Sequence, residues 1–203
     1  MRILLIGASG TLGTAITTAL DGRHDVIRAS RHGADQQVDI TDPASIRDVF
    51  RRIGRVDAIV SAAGSAAYKP LADLTDEDFA SSLRDKLMGQ VNVVRFGFGS
   101  VNDRGSITIT SGIIAQHPER GGAAFSLVNS ALEGFGRAAA LEAPRGIRVN
   151  VVSPPWVSET LEAIGRPPQG GLPAGVVAEA YVRSVEGRET GQVITPERVT
   201  AER

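Results

Sequence analysis

The stretch Ile3-Leu4-Leu5-Ile6-Gly7-Ala8-Ser9-Gly10-Thr11-Leu12-Gly13 decides the fold of this chain. Its four consecutive apolar residues predict a strand that is buried on both faces, as in a parallel sheet. Three glycines follow with the spacing G-x-x-G-x-x-G, and residues 14–20 continue with a helical period. A strand, a glycine turn and a helix N-terminus together present unpaired backbone N–H groups to a phosphate. We therefore predict a dinucleotide-binding loop here, in preference to a plain tight turn.

Each glycine of this loop has a separate role. Gly7 makes the tight turn, Gly10 lets the backbone approach a pyrophosphate, and Gly13 lets the helix pack against the strand. The residues of the loop that we expect to contact the cofactor are Gly7, Ser9, Gly10, Thr11, Leu12 and Gly13.

Length and composition narrow the class of protein. The 203 residues fit one domain, residues 1–203, with a full hydrophobic core. A net charge of −1 gives no electrostatic case for binding nucleic acid or an anionic membrane. The lack of cysteine excludes disulfides and thiolate sites, and the three histidines lack the spacing of metal ligands. No apolar run approaches the ~18 residues of a membrane span. Since the opening residues resemble a strand more than a signal peptide, we expect a soluble, cytoplasmic protein. Because the chain has no cysteine and its histidines lack the spacing of ligands, we expect no metal site.

Apolar strands alternate with helical segments along the chain. This order predicts right-handed crossovers and a three-layer, Rossmann-type α/β fold: a single domain with a doubly wound parallel sheet. After the first strand we predict strands at 24–30, 37–40, 56–64, 104–112, 146–154 and 191–194. The predicted helices are 14–20, 44–53, 75–101, 123–143 and 176–185. Clustered Pro and Gly predict a mobile substrate flap at 156–174, and 195–203 has the composition of a frayed tail.

The end of the second strand decides which nicotinamide cofactor fits. A carboxylate there would hold the ribose 2′-hydroxyl and repel a 2′-phosphate. The chain has Ser30 and Arg31 instead. A guanidinium beside a hydroxyl suits a phosphate, so we predict NADP(H) in preference to NAD(H). The alternative is that Arg31 is a solvated loop arginine.

The ends of the third and fourth strands supply further candidate cofactor contacts. Asp39 could accept a hydrogen bond from the adenine amine, or serve as a turn carboxylate. Small residues at the end of the fourth strand leave room for a flat ring or a ribose. The candidate contacts at these two strand ends are Asp39, Ile40, Ala62, Ala63 and Gly64.

These features resemble the short-chain dehydrogenase/reductase family across nearly the whole chain. The matching landmarks are the glycine loop, Asp39, Ala62-Ala63-Gly64, Ser111, the helix from Phe125 to Leu132, and Ile147-Arg148-Val149-Asn150 followed by Val152-Ser153-Pro154. The resemblance implies a Rossmann fold, a nicotinamide cofactor that also contacts Pro154, a small-molecule substrate, and a homodimer or homotetramer. The chain is short for the family, so its substrate-binding elaborations are reduced.

The family's catalytic residues are only partly present. In the family, a serine bonds the substrate oxygen, and a tyrosine four residues before a lysine supplies the proton. Ser111 matches the serine, but Phe125 stands at the tyrosine position and Asn129 at the lysine position. Lys86 stands where the family has a helix asparagine. The chain thus lacks the Tyr-x-x-x-Lys pair, and lysine and asparagine have exchanged places.

This exchange has two interpretations. In the first, Lys86 restores a positive charge beside the cofactor ribose, and Asn129 forms hydrogen bonds to the ribose. In the second, Lys86 is a surface lysine and the site has lost its catalytic function. His117, six residues after Ser111, is a candidate proton donor, and an exposed loop histidine is the alternative. A water, Tyr68 and Lys86 itself are further candidates for the proton donor.

Two functions remain open at this point. The first is an NADP(H)-dependent oxidoreductase for a small carbonyl or alcohol, with the catalytic set Ser111, Lys86, Asn129 and His117. The second is a non-redox protein, either a cofactor-sensing interaction protein or a cyclase or isomerase that uses the pocket without hydride transfer. The retained loop and Ser111 favour the first function, whereas the missing tyrosine and lysine favour the second.

Overall fold

The computed structural model describes residues 1–197 and confirms the predicted fold class. Its seven strands pair in parallel in the order β3-β2-β1-β4-β5-β6-β7. The strands are β1 Arg2–Ile6, β2 Asp25–Ser30, β3 Gln36–Gln37, β4 Val56–Ser61, β5 Val101–Thr110, β6 Arg148–Val152 and β7 Val193–Ile194. The helices are α1 Thr11–Leu20, α2 Pro43–Ile53, α3 Asp76–Ser82, α4 Gly89–Gly97, α5 Ala123–Glu142, α6 Ser158–Ala163 and α7 Ala174–Glu186.

The sheet is covered on both faces. Leu4 and Ile6 of β1 join the core under α2, α4 and α5, whereas Ile3 and Leu5 join the core under α1 and α7. Side chains alternate between the two faces of a strand, so an unbroken apolar run is what such a central strand requires. None of the helices in residues 1–197 is long and apolar enough to cross a membrane.

Several boundaries differ from the sequence-based expectation. The predicted helix 75–101 consists of α3, a π-helical turn over Leu83–Met88, and α4, which ends at Gly97. β5 begins at Val101, because Val101 pairs with Val56 and the register then shifts before Ala58. β3 is shorter than predicted, because the chain turns at Asp39.

Residues 156–174 contain α6 and a short 3₁₀ turn, Pro168–Gly170. Val157, Leu161 and Leu172 anchor the segment with buried side chains. The carboxylate of Glu159 accepts hydrogen bonds of 3.1 and 3.0 Å from the backbone N–H of Ala174, the first residue of α7. The role of this segment as a substrate flap stays a prediction. Of the predicted tail, residues 195–197 lie outside regular elements, and 198–203 lie outside the described residues.

Candidate active site

Two adjoining cavities lie at the carboxyl ends of the central strands, where ligands bind in folds of this class. The first, which we call the serine cavity, has a volume of about 240 Å³ and is lined by Ser111, Lys86 and Asn129 among others. The second, the loop cavity, has a volume of about 310 Å³ and borders the glycine loop. Both are lined by Ala62, Ala63 and Gly64. The shared residues join the two cavities into one crevice.

The glycine loop is shaped for close backbone approach. A Cβ on Gly13 would lie 2.0 Å from the carbonyl oxygen of Gly7, so α1 packs directly on the loop. α1 has no side-chain cap and no acidic residue in its first turn. Within residues 1–197 the backbone N–H groups of Ser9, Thr11 and Leu12 have no protein acceptor. These free donors at a helix N-terminus fit the pyrophosphate of a dinucleotide.

The end of β2 holds two arginines with different partners. Arg28 donates two hydrogen bonds, of 3.0 and 2.9 Å, to Asp35. Arg31 lines the loop cavity and forms a 3.4 Å ion pair with Asp39. Ser30 also lines this cavity, and its hydroxyl accepts a 3.0 Å hydrogen bond from Ser9. A guanidinium and a hydroxyl therefore border the cavity together, as phosphate recognition requires.

Asp39 acts as a turn carboxylate in this structure. Its Oδ1 accepts hydrogen bonds from the backbone N–H (2.9 Å) and the hydroxyl (2.8 Å) of Thr41. Burial of Asp39 favours the neutral acid, but the hydrogen bonds from Thr41 and the charge of Arg31 outweigh it and hold the carboxyl pKa below its usual value. Ile40 lines the loop cavity, whereas Asp39 lines a separate polar cavity beside Arg31.

Ser111 follows β5 and is held by a buried carboxylate that the sequence analysis missed. The Ser111 hydroxyl donates to Glu133 Oε1 at 3.2 Å. Glu133 also accepts from the Ser153 hydroxyl at 2.9 Å and from Gln116 Nε2 at 3.1 Å. Glu133 lies on α5 four residues after Asn129, so both face the same side of the helix. That spacing was the signal in the sequence that could have identified Glu133, because a glutamate on a buried helix face needs hydrogen-bond donors around it.

We expect Glu133→Ala to destabilise the protein by about 3 kcal/mol, because three buried or partly buried donors lose their acceptor. In a chain of this size that corresponds to a fall in Tm of about 6–12 °C. Glu133→Gln keeps an acceptor oxygen for the serines and should lose less than half as much. Thermal denaturation of both variants measures the difference. Wild-type Tm in Glu133→Ala would show that the carboxylate does not hold these groups.

Lys86 lies in the π-helical turn and reaches the serine cavity. Its side chain is 6% exposed, and its ammonium has no hydrogen bond or ion pair within residues 1–197. Burial lowers the pKa of Lys86 to about 8, and the charge of Asp85 opposes this shift with a smaller effect. π-Helical turns are frequent at functional sites. Lys86 is therefore a cavity residue and not a surface lysine.

Asn129 approaches the same cavity from α5. Its Oδ1 is buried without a hydrogen-bond donor in the described part of the chain. A Cβ on Gly112 would lie 2.9 Å from Asn129 Nδ2, so the amide is closely packed. A buried acceptor without a donor is costly, and a ligand hydroxyl in the cavity would relieve that cost.

The other proton-donor candidates lie outside the lining of the serine cavity, although the Tyr68 ring packs edge-on against Phe125 and Trp156, with ring centroids 6.1 and 5.5 Å apart. His117 is exposed, and neither His117 nor Tyr68 is among the residues that line the serine cavity. The Tyr68 hydroxyl donates to Glu119 Oε1 at 2.8 Å, and burial together with this bond raises the Tyr68 pKa. The structure thus brings together Ser111, Lys86 and Asn129, but not His117.

Comparison with known sequences places the chain in a family. A family model described as enoyl-(acyl carrier protein) reductase matches residues 13–195. The 3-oxoacyl-[acyl-carrier-protein] reductase FabG of Escherichia coli is 27% identical over 198 residues, which cover 86% of this chain and 81% of that protein. Hydroxynaphthalene reductase arp2 of Aspergillus fumigatus is 32% identical over 117 residues, 57% of this chain and 43% of that protein. Matches to L-fucose dehydrogenase of Oryctolagus cuniculus and the Bos taurus 3-oxoacyl-[acyl-carrier-protein] reductase span 55% and 49% of those proteins. The chain thus spans about half of several of the curated relatives that it matches.

Solved structures agree with this placement. The crystal structure of lin1944 from Listeria innocua is 45% identical with a TM-score of 0.93, and the match covers 97% of this chain and 100% of that chain. A small-chain dehydrogenase in complex with NADPH has a TM-score of 0.84 at 24% identity over 96% of this chain and 95% of that one, a likeness of fold alone. The family model and these likenesses identify the chain as a member of the short-chain dehydrogenase/reductase family of oxidoreductases.

Proposed function

We propose that this protein is an NADP(H)-dependent oxidoreductase of small carbonyl compounds or alcohols in which Lys86 takes over the proton transfer. The observation that supports this most is that the Lys86 side chain is buried, lines the same cavity as Ser111 and has no partner for its ammonium within residues 1–197. Phe125 also lines that cavity but has no proton to give. Among the residues that line the serine cavity, Lys86 is the one cationic donor.

The crevice holds the cofactor with several groups of residues. The free N–H groups of the glycine loop bind the pyrophosphate, Ser30 and Arg31 bind the 2′-phosphate, and Asn129 bonds the nicotinamide ribose. A bound nicotinamide supplies the hydride that the carbonyl carbon receives. The residues proposed to contact the cofactor are Gly7, Ser9, Gly10, Thr11, Leu12, Gly13, Ser30, Arg31, Asp39, Ile40, Ala62, Ala63, Gly64 and Pro154.

The residues of the serine cavity stabilise, orient and protonate the oxygen of the substrate. As the carbonyl is reduced, negative charge develops on its oxygen. The Lys86 ammonium stabilises that charge, because the lining of the cavity is mostly apolar. Lys86 then gives the oxygen its proton. Ser111 orients the same oxygen once its hydroxyl donates to the substrate instead of to Glu133.

This role predicts a specific pH dependence. The Lys86 pKa of about 8 means that the ammonium is present below that pH and is lost above it. We expect kcat for carbonyl reduction to be constant at low pH and to fall about tenfold per unit as pH rises above 8. Measuring kcat from pH 6 to pH 10 at saturating NADPH checks this. A profile that stays flat across pH 8 would assign the proton to another group.

The cofactor preference is tested at Arg31. We expect Arg31→Ala to raise the Kd of NADPH about tenfold through the loss of a charge-assisted phosphate bond. NADH lacks the 2′-phosphate, so its Kd should change by less than about twofold. Arg28→Ala is the matched control, because Arg28 lies three residues before Arg31, on β2, and its guanidinium donates two hydrogen bonds to Asp35. Equal losses for both cofactors in Arg31→Ala would refute the phosphate role.

One experiment tests the function as a whole. The chain's single tryptophan, Trp156, lines the serine cavity and can report NADPH binding by fluorescence transfer. NADPH oxidation is then followed with a panel of ketones and aldehydes, with Ser111→Ala as control. Binding without turnover of any member would refute the reductase function. No binding of NADPH or NADH would refute both the cofactor and the function.

We also propose that the protein forms a homodimer or homotetramer. Met88 and Leu127 are exposed apolar side chains on the π-helical turn and on α5, elements that pack against each other. Association of two copies would cover such side chains. Analytical ultracentrifugation tests this, and a monomer at micromolar concentration would contradict it.

A further inference from the structure

Lysine is rare in this chain. Of the 22 basic residues only two are lysines, Lys69 and Lys86. Lys69 forms a 2.7 Å ion pair with Asp78, and its side chain is 37% exposed. Lys86 is buried and has no such partner within residues 1–197. The two amines therefore have opposite environments within one protein.

The surroundings of Lys86 favour the neutral amine. Apolar side chains form much of the serine cavity, among them Ile113, Phe125 and Trp156. Burial there penalises the ammonium and lowers its pKa to about 8, while Asp85 supplies the charge that opposes this shift. At pH 7 about a tenth of such an amine is neutral, against less than about a thousandth of an ordinary lysine. A neutral lysine in a mostly apolar pocket is a nucleophile.

We propose that Lys86 is a carbonyl-reactive amine that condenses with small aldehydes in the serine cavity to form an imine. The aldehydes that fit are uncharged, with an aromatic or branched aliphatic group to pack against Phe125 and Trp156. This activity goes beyond the proposed reduction and requires no cofactor.

The step is balanced without a co-reactant. The lone pair of the Lys86 nitrogen attacks the aldehyde carbon, and the π electrons of the carbonyl move to its oxygen. A proton passes from nitrogen to oxygen and gives a carbinolamine. The carbon–oxygen bond then breaks, a carbon–nitrogen double bond forms, and the oxygen leaves as water with the two hydrogens of the neutral amine. Ser111 and Asn129 line the same cavity and can bond the departing oxygen.

Reductive trapping tests this inference on the full-length protein. Benzaldehyde and sodium cyanoborohydride are added to the cofactor-free protein at pH 7, and peptide mass mapping locates the benzyl adducts. We expect Lys86 to be alkylated at least about tenfold faster than Lys69. The N-terminal amine also reacts, and mapping separates its adduct. Equal rates at the two lysines, or a faster adduct at Lys69, would overturn the inference.

A control in urea isolates the contribution of the fold. In the unfolded chain the two lysines should react at equal rates, because Lys86 then regains an ordinary pKa. Lys69→Arg should leave the fast adduct at Lys86 unchanged. If Lys86 still reacts faster in urea, its reactivity comes from the local sequence and the proposal fails. Because trapping does not depend on NADPH, a protein that reduces no carbonyl can still pass this test, and an active reductase can fail it.

Discussion

Replacing Lys86 with methionine will lower kcat for NADPH-dependent carbonyl reduction by about 10²–10⁴-fold, the range for loss of a general acid. Methionine is apolar and of similar length, so it fills the same space in the serine cavity. Folding stability should stay equal or rise, because methionine removes the cost of burying an amine that has no partner within residues 1–197. Steady-state kinetics and thermal denaturation of the same samples measure both effects. The fall in rate above pH 8 should disappear in this variant.

Lys86→Arg is the matched control, because it keeps the positive charge at this position but removes the ability to transfer a proton. A guanidinium keeps the positive charge but does not release its proton at accessible pH. If Lys86 is the proton donor, Lys86→Arg should lose kcat nearly as severely as Lys86→Met. A wild-type kcat in either variant would show that the proton comes from elsewhere, such as a water or His117.

Replacing Gly13 with alanine should both destabilise the protein and abolish tight cofactor binding. The new Cβ would lie 2.0 Å from Gly7 O and 2.7 Å from Ala8 Cα, which are backbone atoms that cannot rotate away. We expect a loss of about 3 kcal/mol in the free energy of unfolding, or about 6–12 °C in Tm. The displaced helix would misalign several N–H donors worth about 1 kcal/mol each, so the Kd of NADPH should rise about 100-fold.

Gly134→Ala is the control for this substitution. Gly134 lies in the interior of α5, and a Cβ there meets nothing within 4 Å. Alanine should therefore stabilise the protein by about 0.5–1 kcal/mol through the lower entropy of the unfolded chain. Denaturation and NADPH titration compare the two variants. Normal NADPH binding by Gly13→Ala would refute the assignment of the loop to the pyrophosphate.

Some boundaries and contacts were beyond the reach of sequence patterns. The helical period of 75–101 predicts one helix, but a π-helical turn at Leu83–Met88 separates α3 from α4. The start of β5 at Val101 is set by pairing with Val56, a partner 45 residues away. His117 is only six residues after Ser111 in the sequence. The turn at Ile113–Ala115 lies between them, and His117 is exposed whereas Ser111 is buried.

The sequence by itself determined the layered parallel fold, the glycine loop and the presence of Ser111 and Lys86, because apolar runs and glycine spacings act locally. Only the tertiary structure decided that Lys86 is buried beside Ser111 and that Glu133 holds the Ser111 hydroxyl. Burial and partners depend on which distant segments pack together. The residues next to a helical lysine in the sequence do not indicate whether its side chain faces water or a cavity.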